Sequence, residues 1–436
     1  MHNRPLARSL ISVVDLLLCA CSLLFPSGDP AFAQNAAPQS VAGSQPAGSS
    51  ARPLSLTDAI LLAKQRSYVT QQFDARVAGA AARTAGTRAF LNPTVSLGSH
   101  VGQDAAGTDE DVVVTQTIEL GDKRRQRSRA AFAEQQAATF DRAGAQNDLV
   151  YNVKSAYYEA LRADASRQLA QTARDNAVKI AQAAELQFTA GDVPRTQVTR
   201  SKIEQTRAEQ ALIAAETERA NRYATLRSLA NLPSDQQLDL TDKLAFTPIS
   251  ATLTSLNTFA LEHRPDLQSA ARLRASREAL LHESRAQSQP DFFVEGRHST
   301  IDPTVGGSTL RFGFLFPLLD FGKNRADISS AKAALKEQDA IAAEARRLAL
   351  LDVETALRNY EQTRRAVEAF VGGRLSSSQE LLNLAQLGYS RGATSLLELL
   401  DAQQVYRSEQ TDYLRALADY NIAVAALEHA VGGRLP

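Results

Sequence analysis

The chain has 436 residues, with 48 Lys and Arg balanced by 48 Asp and Glu, and 44% of it is hydrophobic. That balance gives no electrostatic reason to expect nucleic acid or an acidic ligand as partner, and the apolar content excludes a wholly disordered chain. Met1 is the one methionine, tryptophan is absent, and the two cysteines are Cys19 and Cys21. With that leader removed, disulfide scaffolds, thiolate metal sites, Fe–S clusters and cysteine nucleophiles drop out.

The leader reads as an export signal. Arg4 and Arg8 precede an apolar run from Leu10 to Phe25, and Ala31-Phe32-Ala33 places small residues before a cut at Gln34. Residues 1–33 are therefore expected to be a signal peptide. A second reading makes Cys21 a lipidated first residue, but the apolar run continues past it through Leu23, Leu24 and Phe25. Residues 34–50, rich in Ala, Gly, Ser, Gln and Pro, read as a flexible lead-in.

A helical stretch from Leu56 to Phe90 ends near Pro93. Two alternating segments follow, about 94–102 and 111–120, in which Val95 and Leu97, then Val112, Val114, Gln116 and Ile118, share a face. Period-two patterns of this length read as strands able to cross a membrane in a tilted barrel. Thr115, Thr117 and Glu119 fall on the polar face. From Arg124 to Gln187 there is no Pro and the one Gly is Gly144, while Leu149, Val153, Ala156, Tyr157, Ala160 and Leu161 mark one helical face. The chain turns at Gly191 and Pro194 and runs back through Ala230, with a tip near 191–197.

The second half repeats this order. Strands are expected at about 291–301 and 309–318, the latter with Leu310, Phe312, Phe314 and Phe316 on one face and Arg311 on the other. A helix from Arg325 to Leu387 is interrupted at Gly372-Gly373, and a tip near 389–398 leads into the returning helix. Gly121 and Gly322 lie 201 positions apart, as do Gly191 and Gly392, while Asn92-Pro93 answers Gln289-Pro290 at 197. The expected units are residues 51–247 and 248–436 of a duplicated chain. Four strands cannot close a barrel, because about eight is the minimum; three copies would give twelve and leave a water-filled lumen. The expected fold is mainly α with membrane β: duplicated long helical hairpins forming a coiled-coil tunnel, and four strands per chain in a trimeric, 12-stranded β-barrel.

His263-Arg264-Pro265-Asp266-Leu267 and the run Tyr389-Ser390-Arg391-Gly392-Ala393-Thr394-Ser395-Leu396-Leu397-Glu398-Leu399-Leu400-Asp401-Ala402-Gln403 resemble the TolC-type outer-membrane efflux proteins over essentially the whole mature length. Ile118-Glu119-Leu120-Gly121-Asp122-Lys123-Arg124-Arg125-Gln126-Arg127 is similar to a segment of the cobalt-zinc-cadmium branch, where a second Gly is usual at the place of Asp122. The resemblance implies an outer-membrane homotrimer embedded in lipid, docked onto a periplasmic adaptor and a proton-driven inner-membrane pump, with helix turns forming a closed periplasmic entrance. Divalent heavy-metal cations are the implied cargo; drugs or other small organic molecules are the alternative.

The resemblance also places the gate. Glu398 and Asp401 match the family's two tip acids, and threefold symmetry would stack them as carboxylate rings that favour cations. Ser395-Leu396-Leu397-Glu398 is equally a capping box, in which Glu398 serves the helix start. Tyr389 stands where the family has a Tyr that bonds an acid across the tip, and Gln197 occupies the matching place in the first half. Thr196 matches its family counterpart, but the Arg expected at Thr394 is missing, so any latch carries less charge.

No catalytic constellation is visible. His2, His100, His263, His282, His298 and His429 are scattered without metal-ligand spacing, and no phosphate-cradling Gly loop is present. No enzyme activity and no cofactor are expected. A periplasmic adaptor has one helical hairpin, so the duplication counts against that alternative.

Overall fold

The computed structural model describes residues 52–100, 109–299, 308–317 and 321–435. The leader with Cys21, the 34–50 segment, and the strand ends expected at 101–102, 300–301 and 318 lie outside them. The first half runs β1 (Arg52–Leu54), α1 (Leu56–Arg66), α2 (Tyr68–Arg88), β2 (Thr94–His100), β3 (Asp109–Ile118), α3 (Lys123–Thr189), α4 (Arg195–Leu229) and β4 (Leu238–Leu240). The second runs α5 (Leu253–His263), α6 (Pro265–Ala286), β5 (Asp291–Ser299), β6 (Ser308–Leu315), α7 (Lys323–Ala369), α8 (Leu375–Ser390) and α9 (Leu396–Val431). At 67 residues, α3 extends roughly 100 Å. It packs against α2, α4, α6 and α9, so it carries contacts both within its half and across to the other.

The four longer strands form one antiparallel sheet in the order β2-β3-β5-β6, and the β3–β5 pairing joins the halves. Register puts Leu97 opposite Val112, Val112 opposite His298, Ile118 opposite Phe292, and Phe292 opposite Phe314. Because side chains alternate along each strand, Val95, Leu97, Val112, Val114, Ile118, Phe292, Val294, Leu310, Phe312 and Phe314 share one face. The opposite face carries Thr94, Ser96, Thr115, Thr117, Glu295, Arg297 and Arg311, with Arg311 paired to Glu295 at 3.6 Å. The apolar face is uncovered: Leu310 is 71% exposed, Phe312 73% and Leu97 78%. Among the described residues no helix is long and apolar enough to cross a membrane.

Glu119 does not join the polar face as expected. β3 ends at Ile118, and the Glu119 carboxylate accepts two hydrogen bonds from Arg127, at 2.9 and 2.6 Å. Arg127 also reaches Glu283 of α6 at 3.4 Å. Beside it Lys123, only 3% exposed, donates to Asp291 Oδ1 at 2.8 Å and to the Gln289 carbonyl at 2.9 Å. These contacts fix the junction of sheet and helices across the two halves. Entry into the long helices uses two consecutive left-handed residues each time, Gly121-Asp122 and Phe321-Gly322. Asp122 has φ 65°, which is why a glycine suits its place. By backbone conformation Asp122 thus corresponds to Gly322, 200 positions on, and the identity match of Gly121 with Gly322 is one residue out of step.

Each half has its own core where a short helix crosses the hairpin. In the first, Leu54, Ala59, Val153, Tyr157, Leu226 and Leu238 pack together, and Tyr157 donates to the Leu54 carbonyl and to Asp242. In the second, Leu256, Val353, Tyr360, Tyr420 and Leu427 do so, with Tyr360 donating to the Ile249 carbonyl. Arg264 locks the second core's end: it pairs bidentately with Asp266, reaches Asp352 of α7 and donates to the Ala430 carbonyl at 3.0 Å. His263 stacks on Phe259 at 4.0 Å, a structural placement.

Candidate gate at the helical tips

Both hairpins turn by the same device. α3 ends with Gly191 at φ 88°, its N–H donating to Phe188 and that of Asp192 to Gln187. α8 ends with Gly392 at φ 71°, its N–H donating to Tyr389 and that of Ala393 to Gly388. Each is a Schellman closure, in which a left-handed residue satisfies the last carbonyls and reverses the chain. The left-handed φ is the reason both positions are glycine. Pro194 precedes α4 without a side-chain cap, whereas Ser395 caps α9.

That second start decides one of the two roles weighed for Glu398. Its N–H donates to Ser395 Oγ at 3.3 Å, and its carboxylate accepts from the Ser395 N–H at 3.0 Å, a complete capping box. The carboxylate is still exposed, as is that of Asp401 one turn on. The two acids therefore lie together on the open side of α9, and a cap at Glu398 leaves its charge available to solvent.

Tyr389 packs with Ile180 of α3 against Ala385, Leu399 and Ala402. Its hydroxyl donates to Gln187 Oε1 at 3.4 Å, so the cross-tip partner is an amide of α3 and neither an acid nor Gln197. Gln197 is half-buried, its side-chain oxygen has no hydrogen-bond partner, and Thr196 is exposed beside it on α4. Tyr389 is 201 positions beyond Phe188. Gln187 is thus the neighbour of Tyr389's own repeat counterpart, a signal that the duplication offered. Thr394, standing where an Arg is expected, donates to the Ala385 carbonyl at 3.2 Å and ties the tip to its own hairpin. Packing and neutral hydrogen bonds hold Tyr389 and Thr394 in place, and the exposed charges there include the carboxylates of Glu398 and Asp401 and the guanidinium of Arg391.

The model of the family described as outer membrane efflux protein matches residues 60–232 and 258–433, one stretch per half. The cobalt-zinc-cadmium resistance protein CzcC of Cupriavidus metallidurans is 26% identical over 317 residues, 72% of this chain and 75% of that protein. Outer membrane protein OprJ of Pseudomonas aeruginosa is 29% identical over 183 residues, 40% of this chain and 38% of that one. Among solved structures, the outer-membrane channel OprN superimposes with a TM-score of 0.74 at 19% identity, covering 87% of this chain and 90% of that chain. CusC does so with 0.73 at 18% identity, over 93% and 99%.

Proposed function

Because the chain belongs to the outer membrane efflux protein family, and so is an outer-membrane channel component and no enzyme, we propose that it conducts divalent heavy-metal cations from the periplasm to the exterior. Members of the family are trimers that work with an adaptor and an inner-membrane pump. For this chain we place the sheet in the outer membrane as one third of a 12-stranded barrel, the helices below it as the tunnel wall, and a proton-driven pump as the energy source. The cargo reading rests on the match to the cobalt-zinc-cadmium resistance protein, which spans three quarters of that relative. Glu398 and Asp401 support it, since three copies would ring the narrowest point with six carboxylates.

Two measurements test this reading. Deleting the gene should lower tolerance to zinc, cobalt and cadmium while leaving tolerance to organic toxicants unchanged; the reverse pattern would refute the metal cargo. Glu398→Gln with Asp401→Asn should reduce cation selectivity in single-channel recordings, Gln still serving the cap. Unchanged selectivity in an assembled channel would reject the acidic ring.

A further inference from the structure

The two outgoing helices differ by one residue. From the left-handed residue that starts α3, Asp122, to the left-handed glycine that ends it, Gly191, is 69 positions; from Gly322 to Gly392 it is 70. Buried positions show where the extra residue enters. Around the middle of the helix the seams match at 200: Leu149 with Ala349, Val153 with Val353, Ala160 with Tyr360; nearer the sheet the buried Ala137 and Gln338 are 201 apart. Below it they match at 201: Ala181 with Leu382, Ala184 with Ala385, then Val198 with Leu399 and Leu226 with Leu427 on the returning helices. The step lies between Tyr360 and Leu382.

Within that interval sits the segment Phe370–Arg374, where the Leu375 N–H donates to the Phe370 carbonyl, five residues back, and Gly373 leaves helical geometry at φ 143°. A five-residue closure is how a helix absorbs one inserted residue without losing its direction. The wide turn is braced: Arg374 lies over the Phe370 ring at 4.4 Å and donates to Glu409 of α9 at 2.7 Å. α3 is continuous across the equivalent stretch.

α8 carries the trace of the missing alternative. Ser378, Leu382, Ala385 and the half-buried Tyr389 form the seam in use. One residue before Leu382 and Ala385 stand Leu381 and Leu384, 44% and 60% exposed. Leu381 and Leu384 lie 200 positions from Ala181 and Ala184, the seam a continuous helix would bury. We propose that Gly373 is an inserted residue whose wide turn sets the rotational register of α8, and that this register is what carries Tyr389 onto Gln187 and positions the Glu398 and Asp401 tip. Removing Gly373 returns the Gly322-to-Gly392 spacing to the 69 positions of the first half, so a continuous helix keeps the Leu382 seam; removing a residue from a helix with none to spare turns everything beyond it by about 100° and draws it up about 1.5 Å.

The test is a within-chain cross-link in the full-length protein. Tyr389→p-benzoylphenylalanine should cross-link, on illumination, to the Ile180–Gln187 stretch of its own chain, mapped by mass spectrometry. Deleting Gly373 should leave that cross-link in place, because the wide turn then has nothing to absorb, whereas deleting Ala173 from the continuous α3, which has no residue to spare, should abolish it. Loss of the cross-link on deleting Gly373, or its persistence on deleting Ala173, overturns the assignment, and so does failure of the Gly373 deletion to assemble. A Gly373 deletion that folds and cross-links while the Ala173 deletion fails to fold supports it. Register is read within one chain, so a failed efflux assay leaves it standing, and a failed cross-link leaves the metal-efflux reading standing.

Discussion

Gly432 shows how one hydrogen atom in place of a side chain holds the end of α9. It sits at φ 86°, and a Cβ there would approach the Arg264 Cα to 2.8 Å, a backbone atom that cannot swing aside. Its carbonyl also accepts from Asn147 of α3 at 3.0 Å. Gly432→Ala should therefore destabilise the detergent-solubilised protein by about 2 kcal/mol or more, the left-handed cost plus the clash. Gly433→Ala, with nothing within 4 Å and an ordinary φ, should melt like the parent; equal effects would show that the conformation is not the cause. The repeat counterpart Asn231, at φ 47°, makes the same closure with Leu232 bonded to Arg227. Asparagine tolerates the left-handed region, so the second copy of the device was hidden from a reading that looked for glycine. The residues that identity did reveal, Gly191 and Gly392, are those where glycine serves in both halves.

At the scale of elements, the Arg127 cluster at the sheet–helix junction has three charges that do not balance. Arg127 serves two carboxylates, and Glu119 holds the two short bonds. Burial pushes the Glu283 carboxyl above its usual range, opposed by Arg127 and reinforced by Glu119. An acid whose pKa is raised in the folded state costs stability above that pKa, and the cost disappears as pH falls to the unfolded value near ~4.3. Glu283→Gln should accordingly be neutral or stabilising at pH 7, with its advantage over the parent shrinking on acidification. Glu119→Gln breaks the bidentate pair and should lower the melting temperature at pH 7; a larger loss from Glu283→Gln would reverse the assignment of which acid Arg127 serves. None of this was legible beforehand. Helices and strands were, because periods of 3.6 and 2 and the Pro and Gly punctuation are local. Glu119 continues the alternation of β3 in sequence, and only the partner on α3 and the end of the pairing show that it leaves the sheet. The Tyr389–Gln187 contact was missed for a related reason: the duplication sets Tyr389 against Phe188, one residue from Gln187, but only the fold shows that these two helix ends touch.

For the whole molecule, the decisive quantity is the apolar sheet face that one copy leaves open. Phe312, Phe314, Leu310, Val95 and Leu97 are all exposed, and among the described residues nothing pairs with the outer edges of β2 and β6, which end the sheet. An open edge and an open apolar face together would be a liability in water, and in hydrocarbon every backbone group needs a partner. Pairing β6 of one copy with β2 of the next meets both demands, and lipid then covers the Phe312 face while Arg311 and Glu295 line water. The two faces alternate residue by residue, which makes a sharp test of adjacent positions. Phe312→Lys should cost on the order of 2–4 kcal/mol per copy if it meets the middle of the bilayer, and so sharply reduce the heat-resistant trimer recovered from outer-membrane fractions. Arg311→Ser, one residue away and on the lumen side, should leave that yield unchanged. Equal recovery of the two variants would mean that the sheet does not face lipid with its phenylalanine side, and the barrel assembly drawn from it would fall with that result.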